Sequence, residues 1–351
     1  MKENHTQNLK NIGFIDFIKT IFSKNGITPY LIVTFISICT FKMLMIRHWP
    51  YIDNHTIAAL YVIKGTPNWL AYQNRLLGPY SILGLSNLIG VSFKAAWTIF
   101  HAINIQVFCI LCFWIFKREG LRISYAINYL IVFIFAFLSL QHNYFYPWDT
   151  IDLILFTCFA YGIAKSFPIP YFLTIFVIGI FNRESALFIA IYLMLDAFSF
   201  VKGIFPIKLT KPKSLLTGII ILPIGIIFTK FVRELLFISK PNGLPDIEHE
   251  LIGNHIYLLR NLNELFFSNF TNMNFYISIF ILVSFGYFLG NFLRMNDCQL
   301  KLLIMSLIIF TNIIIFGIIN ESRMYFIILP FFLFLWMSMN IKMKNFCSSI
   351  S

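Results

Sequence analysis

Charged side chains are scarce in this chain. Lysine, arginine, aspartate and glutamate make up 12% of its 351 residues, where a soluble domain carries about 25%. Hydrophobic residues reach 58% and the mean hydropathy is +0.77. So few charges cannot clothe two or three soluble domains, and lipid must cover the remainder. Acids are the rarer sign, 15 against 27 Lys and Arg, for a net charge of +12. In a soluble protein that excess would suggest nucleic acid. Here it is read through the positive-inside rule, and no nucleic-acid partner is expected. Cysteine is also sparse, at Cys39, Cys109, Cys112, Cys158, Cys298 and Cys347. The Cys109-x-x-Cys112 pair sits inside an apolar helix without thioredoxin-like context, so neither a redox site, a disulfide framework nor a metal cluster is expected. A cleavable signal peptide is lacking too. Leu9, Ile12, Ile15, Ile18 and Phe22 alternate with Lys10, Lys19 and Lys24, which predicts an amphipathic helix lying on the membrane surface.

What is present is a series of apolar runs. They predict an all-α, polytopic integral membrane protein with about ten transmembrane helices. The spans fall at 27–46, 95–116, 123–140, 150–166, 169–181, 186–200, 215–232, 275–292, 302–319 and 325–339. A cytoplasmic N-terminal segment (1–26) precedes a single transmembrane domain (27–341), and a cytoplasmic tail (342–351) follows it. With both termini inside, every alternate connection is basic: Lys117, Arg118 and Arg122; Lys165; Lys202, Lys208, Lys211 and Lys213; Arg294 and Lys301; Lys342 and Lys344. The only acids expected on that side are Glu3, Asp16, Glu119, Asp196 and Asp297. This alternation sets the orientation, and the abundance of Ile, Phe, Asn and Lys suggests a bacterial genome; together they predict an inner (plasma) membrane protein working on its periplasmic or extracytoplasmic face. Counting 76–91 as a span would put the cluster from Lys117 to Arg122 outside. With Gly78, Pro79, Gly84 and Gly90, that segment is read instead as a half-inserted outer helix buried against protein. The outer loops then run over 47–94 and 233–274, with a surface helix expected within 251–267.

Ionisable groups at membrane depth need a partner or a task. Four outer clusters qualify. They are Arg47-His48-Trp49-Pro50-Tyr51-Ile52-Asp53, Tyr72-Gln73-Asn74-Arg75, Tyr146-Pro147-Trp148-Asp149-Thr150-Ile151-Asp152, and the paired corners Asn182-Arg183-Glu184-Ser185 and Asn320-Glu321-Ser322-Arg323. The corner at 182–185 interrupts an otherwise apolar run, so Arg183 and Glu184 are expected in a recess. Arg75, Arg183 and Arg323 have the fork geometry that grips phosphate oxygens. Arg183 with Glu184, or Arg323 with Glu321, could equally form internal ion pairs that only pin helix ends. Asp53 could act as a general base on a hydroxyl, or be a solvated loop residue. Asp149 and Asp152 share one face at a helix start, where Asp149 could simply cap the helix. His101 and His142 read as packing or interfacial residues.

The order of these features resembles the GT-C superfamily of bacterial membrane glycosyltransferases, which use polyprenyl-phosphate-linked sugars. The likeness spans most of the chain. It rests on the early Asp53, on Arg75-Leu76-Leu77-Gly78-Pro79 opening a partly inserted helix, and on the span ending in Lys117-Arg118-Glu119-Gly120. The Asp149/Asp152 helix, the Asn182-Arg183-Glu184 corner and Glu321-x-Arg323 followed by Pro330 complete it. An Asp-x-Asp in the first loop and a large soluble C-terminal domain are both missing. The resemblance implies transfer of a sugar from a polyprenyl phosphate to a glycan or lipid-linked acceptor, in assembly of a cell-surface polysaccharide such as the O-antigen of lipopolysaccharide. It implies Asp53 as catalytic base, Asp149, Asp152, Glu184 and Glu321 as supporting acids, and Arg75, Arg183 and Arg323 as lipid-phosphate ligands. No cofactor is assigned, and use of a divalent metal stays open. The rival readings are an O-antigen or capsule polymerase and a non-enzymatic flippase or transporter.

Overall fold

A computed structural model describes residues 27–67, 72–141, 144–200, 207–237, 257–267, 273–317 and 322–340. The segments expected as an amphipathic N-terminal helix (1–26) and a cytoplasmic tail (342–351), together with His142 and Glu321, lie outside the described residues. The chain is mostly helical. Helix α1 (Ile27–His48) leads through a 3-10 turn (Trp49–Tyr51) into α2 (Ile52–Ile63). Next come α3 (Leu77–Ile89), α4 (Phe93–Arg118), α5 (Ile123–Ser139), α6 (Pro147–Ala164), α7 (Ile169–Ile180) and α8 (Leu187–Asp196). Two short strands, β1 (Phe198–Phe200) and β2 (Ile207–Leu209), pair antiparallel with Ser199 opposite Lys208. The rest is α9 (Pro212–Leu236), α10 (Leu258–Phe267), α11 (Met273–Gly290), α12 (Asp297–Phe316) and α13 (Leu329–Asn340).

Among the described residues, four stretches are long and apolar enough to cross a membrane: Ile27–Ile63, Phe93–Arg118, Pro212–Leu236 and Asp297–Phe316. Every other expected span contains an apolar helix, several of them short. With 12 residues, α7 extends only ~18 Å at 1.5 Å per residue. Local signals set the ends. Ser92 accepts a hydrogen bond from the backbone N–H of Ala95 to start α4. Gly120, at φ +79°, ends it, its left-handed backbone letting Leu121 N–H reach Phe116 O. At the head of α6, Pro147 needs no donor partner and Asp149 accepts from Tyr146 N–H at 2.9 Å.

Helix α6 is the central post, buried along nearly its whole length and packed against α3, α4, α7, α12 and α13. Polar side chains help tie α1 to α4: Gln106 donates to Thr34 Oγ1 at 3.0 Å and accepts from Ser37.

Two features depart from the sequence reading. The expected outer loop 47–94 contains α2, whose Ala58 and Val62 join Tyr72, Trp148, Val232 and Phe237 in a small second core. The expected span 186–200 ends as a helix at Asp196 and turns into β1. The cause is electrostatic. The Asp196 carboxylate is buried and receives Lys211 at 3.0 Å and Lys301 at 3.1 Å, while Phe200 N–H donates to Asp297.

Lys301 is itself buried and also pairs with Asp297 at 2.7 Å. Breaking a buried pair strands a charge at about 3 kcal/mol. Lys301→Met is therefore expected to lower the thermal midpoint of the detergent-purified protein well below that of Lys301→Arg. Equal midpoints for the two variants would refute a structural role for the pair.

A candidate anion-binding site at the arginine-rich end

The opposite end of the bundle gathers the chemistry-bearing residues. Three segments meet there: the loop before α3, the head of α6 and the corner between α7 and α8. The corner is stitched to the loop by two backbone hydrogen bonds, since Leu76 N–H and Leu77 N–H both donate to Phe181 O at 2.9 Å. Asn182, fully buried, donates to Trp148 O at 3.0 Å and to Asp152 Oδ1 at 2.7 Å, fixing the corner against α6.

The charges are arranged around these stitches. Arg183 Nη1 lies 3.4 Å from Asp152 Oδ2, and its Nη2 donates to Met324 Sδ. Arg323 Nη1 lies 3.4 Å from Asp149 Oδ2, with its guanidinium 4.8 Å from the centre of the Tyr146 ring. Glu184 Oε1 accepts from Asn74 Nδ2 and from Arg233 Nη2, each at 2.7 Å. Arg75 stands apart. Its guanidinium lies over the adjoining rings of Tyr72 (4.9 Å) and Trp148 (4.8 Å), whose centres are 5.0 Å apart; the residue is 5% exposed and joins no ion pair among the described residues.

Burial pulls the Arg75 guanidinium down to about 10, helped by the like charge of Arg183 and opposed by Glu184; it stays cationic at neutral pH. Burial would raise Glu184, but Arg75, its own backbone, Arg233 and Asn74 together hold it below the usual carboxylate range.

Several buried polar atoms here have no hydrogen-bond partner among the described residues: Arg75 Nε and Nη1, Trp148 Nε1, Ser185 Oγ, Arg233 Nε, Asn74 Oδ1 and Asn182 Oδ1. Buried polar groups are satisfied in the great majority of cases. Such a concentration marks a place where a ligand or water belongs. A cavity of about 380 Å³, which shares no lining residue with this cluster, runs between α5, α11 and the turn into α13, lined by Phe135, Ser139, Phe280, Tyr325, Leu329 and Phe332. Phe135 and Phe280 are exposed on its flanks, and Tyr325 lies two residues beyond Arg323.

The expected arginines, Arg75, Arg183 and Arg323, thus come together with Asp149, Asp152 and Glu184, while Glu321 is outside the described residues. Asp149 does cap its helix and also faces Arg323. Asp53 lies in the first turn of α2 with its side chain 73% exposed, and it pairs with Lys94 at 2.7 Å. Its only ion pair among the described residues is with that lysine. His101 is buried between Trp97 and Phe145. His55, two residues beyond the first outer cluster, packs edge-on to Tyr146, while the cluster's own acid, Asp53, faces Lys94. Sequence reasoning missed Arg233. Its signal was faint: a lone arginine in the last turn of a long apolar helix. No three His, Cys, Asp or Glu side chains among the described residues form a metal-ligand group.

The chain matches no family model, and neither a curated protein nor a solved structure is detectably similar to it.

Proposed function

We propose that the chain is a membrane glycosyltransferase of GT-C type. It takes a sugar from a polyprenyl-phosphate donor and passes it to a glycan or lipid-linked acceptor on the extracytoplasmic face, in cell-surface polysaccharide assembly. The observation that carries this reading is Arg75, a buried guanidinium lying over two adjoining aromatic rings, with two N–H groups unpartnered among the described residues. A lone buried cation calls for an anion. The apolar cavity beside Tyr325 suits the donor's hydrocarbon chain.

In the proposed reaction, an acceptor hydroxyl oxygen forms the new bond to the anomeric carbon as the bond from that carbon to the phosphate oxygen breaks. The electron pair leaves on the lipid phosphate, whose growing charge Arg75, Arg183 and Arg323 stabilise. Asp53 takes the hydroxyl proton. Its exposure fits an acceptor arriving from the aqueous side, while the donor phosphate is held inside. Four guanidiniums would also serve a lipid pyrophosphate, as in an O-antigen or capsule polymerase.

Lipid-linked oligosaccharides from a strain lacking the protein test the reading. A unit short of one sugar supports transfer, and an accumulated complete repeat unit supports the polymerase. An altered surface glycan over an intact lipid-linked pool identifies a decorating transferase. If pool and glycan are both unchanged, the reading fails. Asp53→Asn is expected to slow transfer on the order of 10²-fold, the lower range for a general base. Wild-type turnover in that variant would remove Asp53 from the mechanism.

A further inference from the structure

The unpartnered atoms at this end are not all donors. Asn74 Oδ1 and Asn182 Oδ1 are buried acceptors with no hydrogen-bond partner among the described residues. The other end of each amide fixes where these oxygens sit. Asn182 Nδ2 donates to Asp152 Oδ1 at 2.7 Å and to Trp148 O at 3.0 Å, and a flipped amide would set its oxygen against a carbonyl that only accepts. Asn74 Nδ2 is committed in the same way, to Glu184 Oε1 at 2.7 Å. The two asparagines are 2% and 0% exposed. They belong to the two segments that Leu76 N–H and Leu77 N–H stitch together, Asn74 beside Arg75 and Asn182 three residues before Ser185.

A phosphate cannot satisfy these oxygens. Its own oxygens accept, and acceptor facing acceptor in a buried place is unfavourable. A hydroxyl both donates and accepts, so hydroxyl groups match the two amide oxygens and also the unpartnered donors Trp148 Nε1 and Ser185 Oγ.

We infer that Asn74 and Asn182 accept hydrogen bonds from hydroxyl groups of the transferred sugar and set which sugar is taken, an uncharged, hydroxyl-bearing ring. The inference rests on the functional reading above, in which the sugar lies one ester bond from the phosphate held by Arg75. A uronic acid is selected against, because the carboxylates of Asp152 and Glu184 brace the two amides and would repel a third. A sugar lacking the hydroxyl that faces either amide leaves a buried acceptor unsatisfied, with the full desolvation cost of that group.

The test uses the full-length protein in detergent and farnesyl phosphodiesters that differ only in the second ester group. That group is methyl, cyclohexyl, or one of mannosyl, glucosyl, galactosyl and N-acetylglucosaminyl. At least one hexosyl probe is expected to bind about tenfold tighter than the cyclohexyl probe, which keeps the ring and lacks the hydroxyls. Asn74→Leu is expected to shrink that ratio about fivefold, whereas a residue that only braces Glu184 would weaken all probes alike. If that variant does not fold, monodeoxy analogues of the best hexosyl probe are measured on the wild type, and at least one is expected to bind about fivefold weaker. A cyclohexyl probe that equals every hexosyl probe overturns the inference, leaves water on the amide oxygens and keeps the anion site. An unchanged ratio in folded Asn74→Leu, or a deoxy series in which no member binds weaker, overturns it as well. Farnesyl methyl phosphate binding no tighter than farnesol overturns the functional reading itself, and this inference with it.

Discussion

In the proposed sugar transfer, Arg75→Met is expected to lose on the order of 10²–10³-fold in rate, the effect of removing one preorganised donor to a developing oxyanion. The same variant is expected to melt higher than the wild type. The two shifts have opposite signs because the ground state and the reaction use Arg75 differently. In the unliganded protein its guanidinium is buried, makes no ion pair among the described residues and leaves two N–H groups unpartnered. Keeping a charge in that position costs several kcal/mol. Its stacking on Tyr72 and Trp148 returns only about 1–2 kcal/mol per ring. Methionine has similar reach, covers the same two rings and carries no charge to desolvate. Arg75→Lys should fall between the two, keeping the charge but losing the fork. Transfer assays and thermal unfolding of the three proteins check this. If Arg75→Met melts lower and still transfers at the wild-type rate, the residue is structural.

Such a site was legible in the sequence as types and ends, and much less as pairings. The interruption of an apolar run by Asn182, Arg183 and Glu184 announced a recess, because nothing else explains three polar residues between helices of 12 and 10 residues. The partners did not follow from adjacency. Arg183 and Glu184 looked like a local ion pair, yet Arg183 has an extended backbone (φ −169°, ψ 154°). Successive side chains on an extended backbone point opposite ways, so Arg183 turns to Asp152 and Glu184 to Arg233. Those matches lie 31 and 49 residues apart in the chain and depend on how α6 and α9 pack against the corner. Helix α2 could have been read from the sequence, since Ala58, Ala59 and Val62 mark one face at helical spacing. It was obscured by the polar residues around it, Asp53, Asn54, His55 and Thr56, which resemble a loop. The early end of α8 was hidden for the opposite reason. Phe198 and Phe200 continue the apolar composition of the helix, and only the buried pairing of Asp196 with Lys301, 105 residues away, shows why the helix stops.

Gly218→Leu is expected to be the most destabilising single substitution along α9. A Cβ at this position would lie 2.7 Å from Ala190 O and 2.9 Å from Met194 N, both backbone atoms of α8. Main chain within a helix cannot turn aside, so α9 must move away along its length. Overpacking of this kind costs about 3 kcal/mol or more. Gly225 provides the control. Two helical turns further on and on the same face, it would meet Leu187 Cδ2 at 2.6 Å and Phe176 Cζ at 2.9 Å. Those are side-chain ends that can rotate, so Gly225→Ala should cost clearly less than Gly218→Ala. The damage at Gly218 is expected to reach the anion site, because α8 begins at the 182–186 corner and Arg233 rides on the far end of α9. Separating the two helices pulls Arg233 from Glu184 and loosens Asn74, which shares the same carboxylate oxygen beside Arg75. Unfolding midpoints for the Gly218 and Gly225 variants, together with farnesyl methyl phosphate binding, would test the whole chain of effects. A Gly218→Leu protein with wild-type melting would show that α8 and α9 do not pack this closely, while one that melts lower but binds the probe normally would uncouple the helix contact from the site.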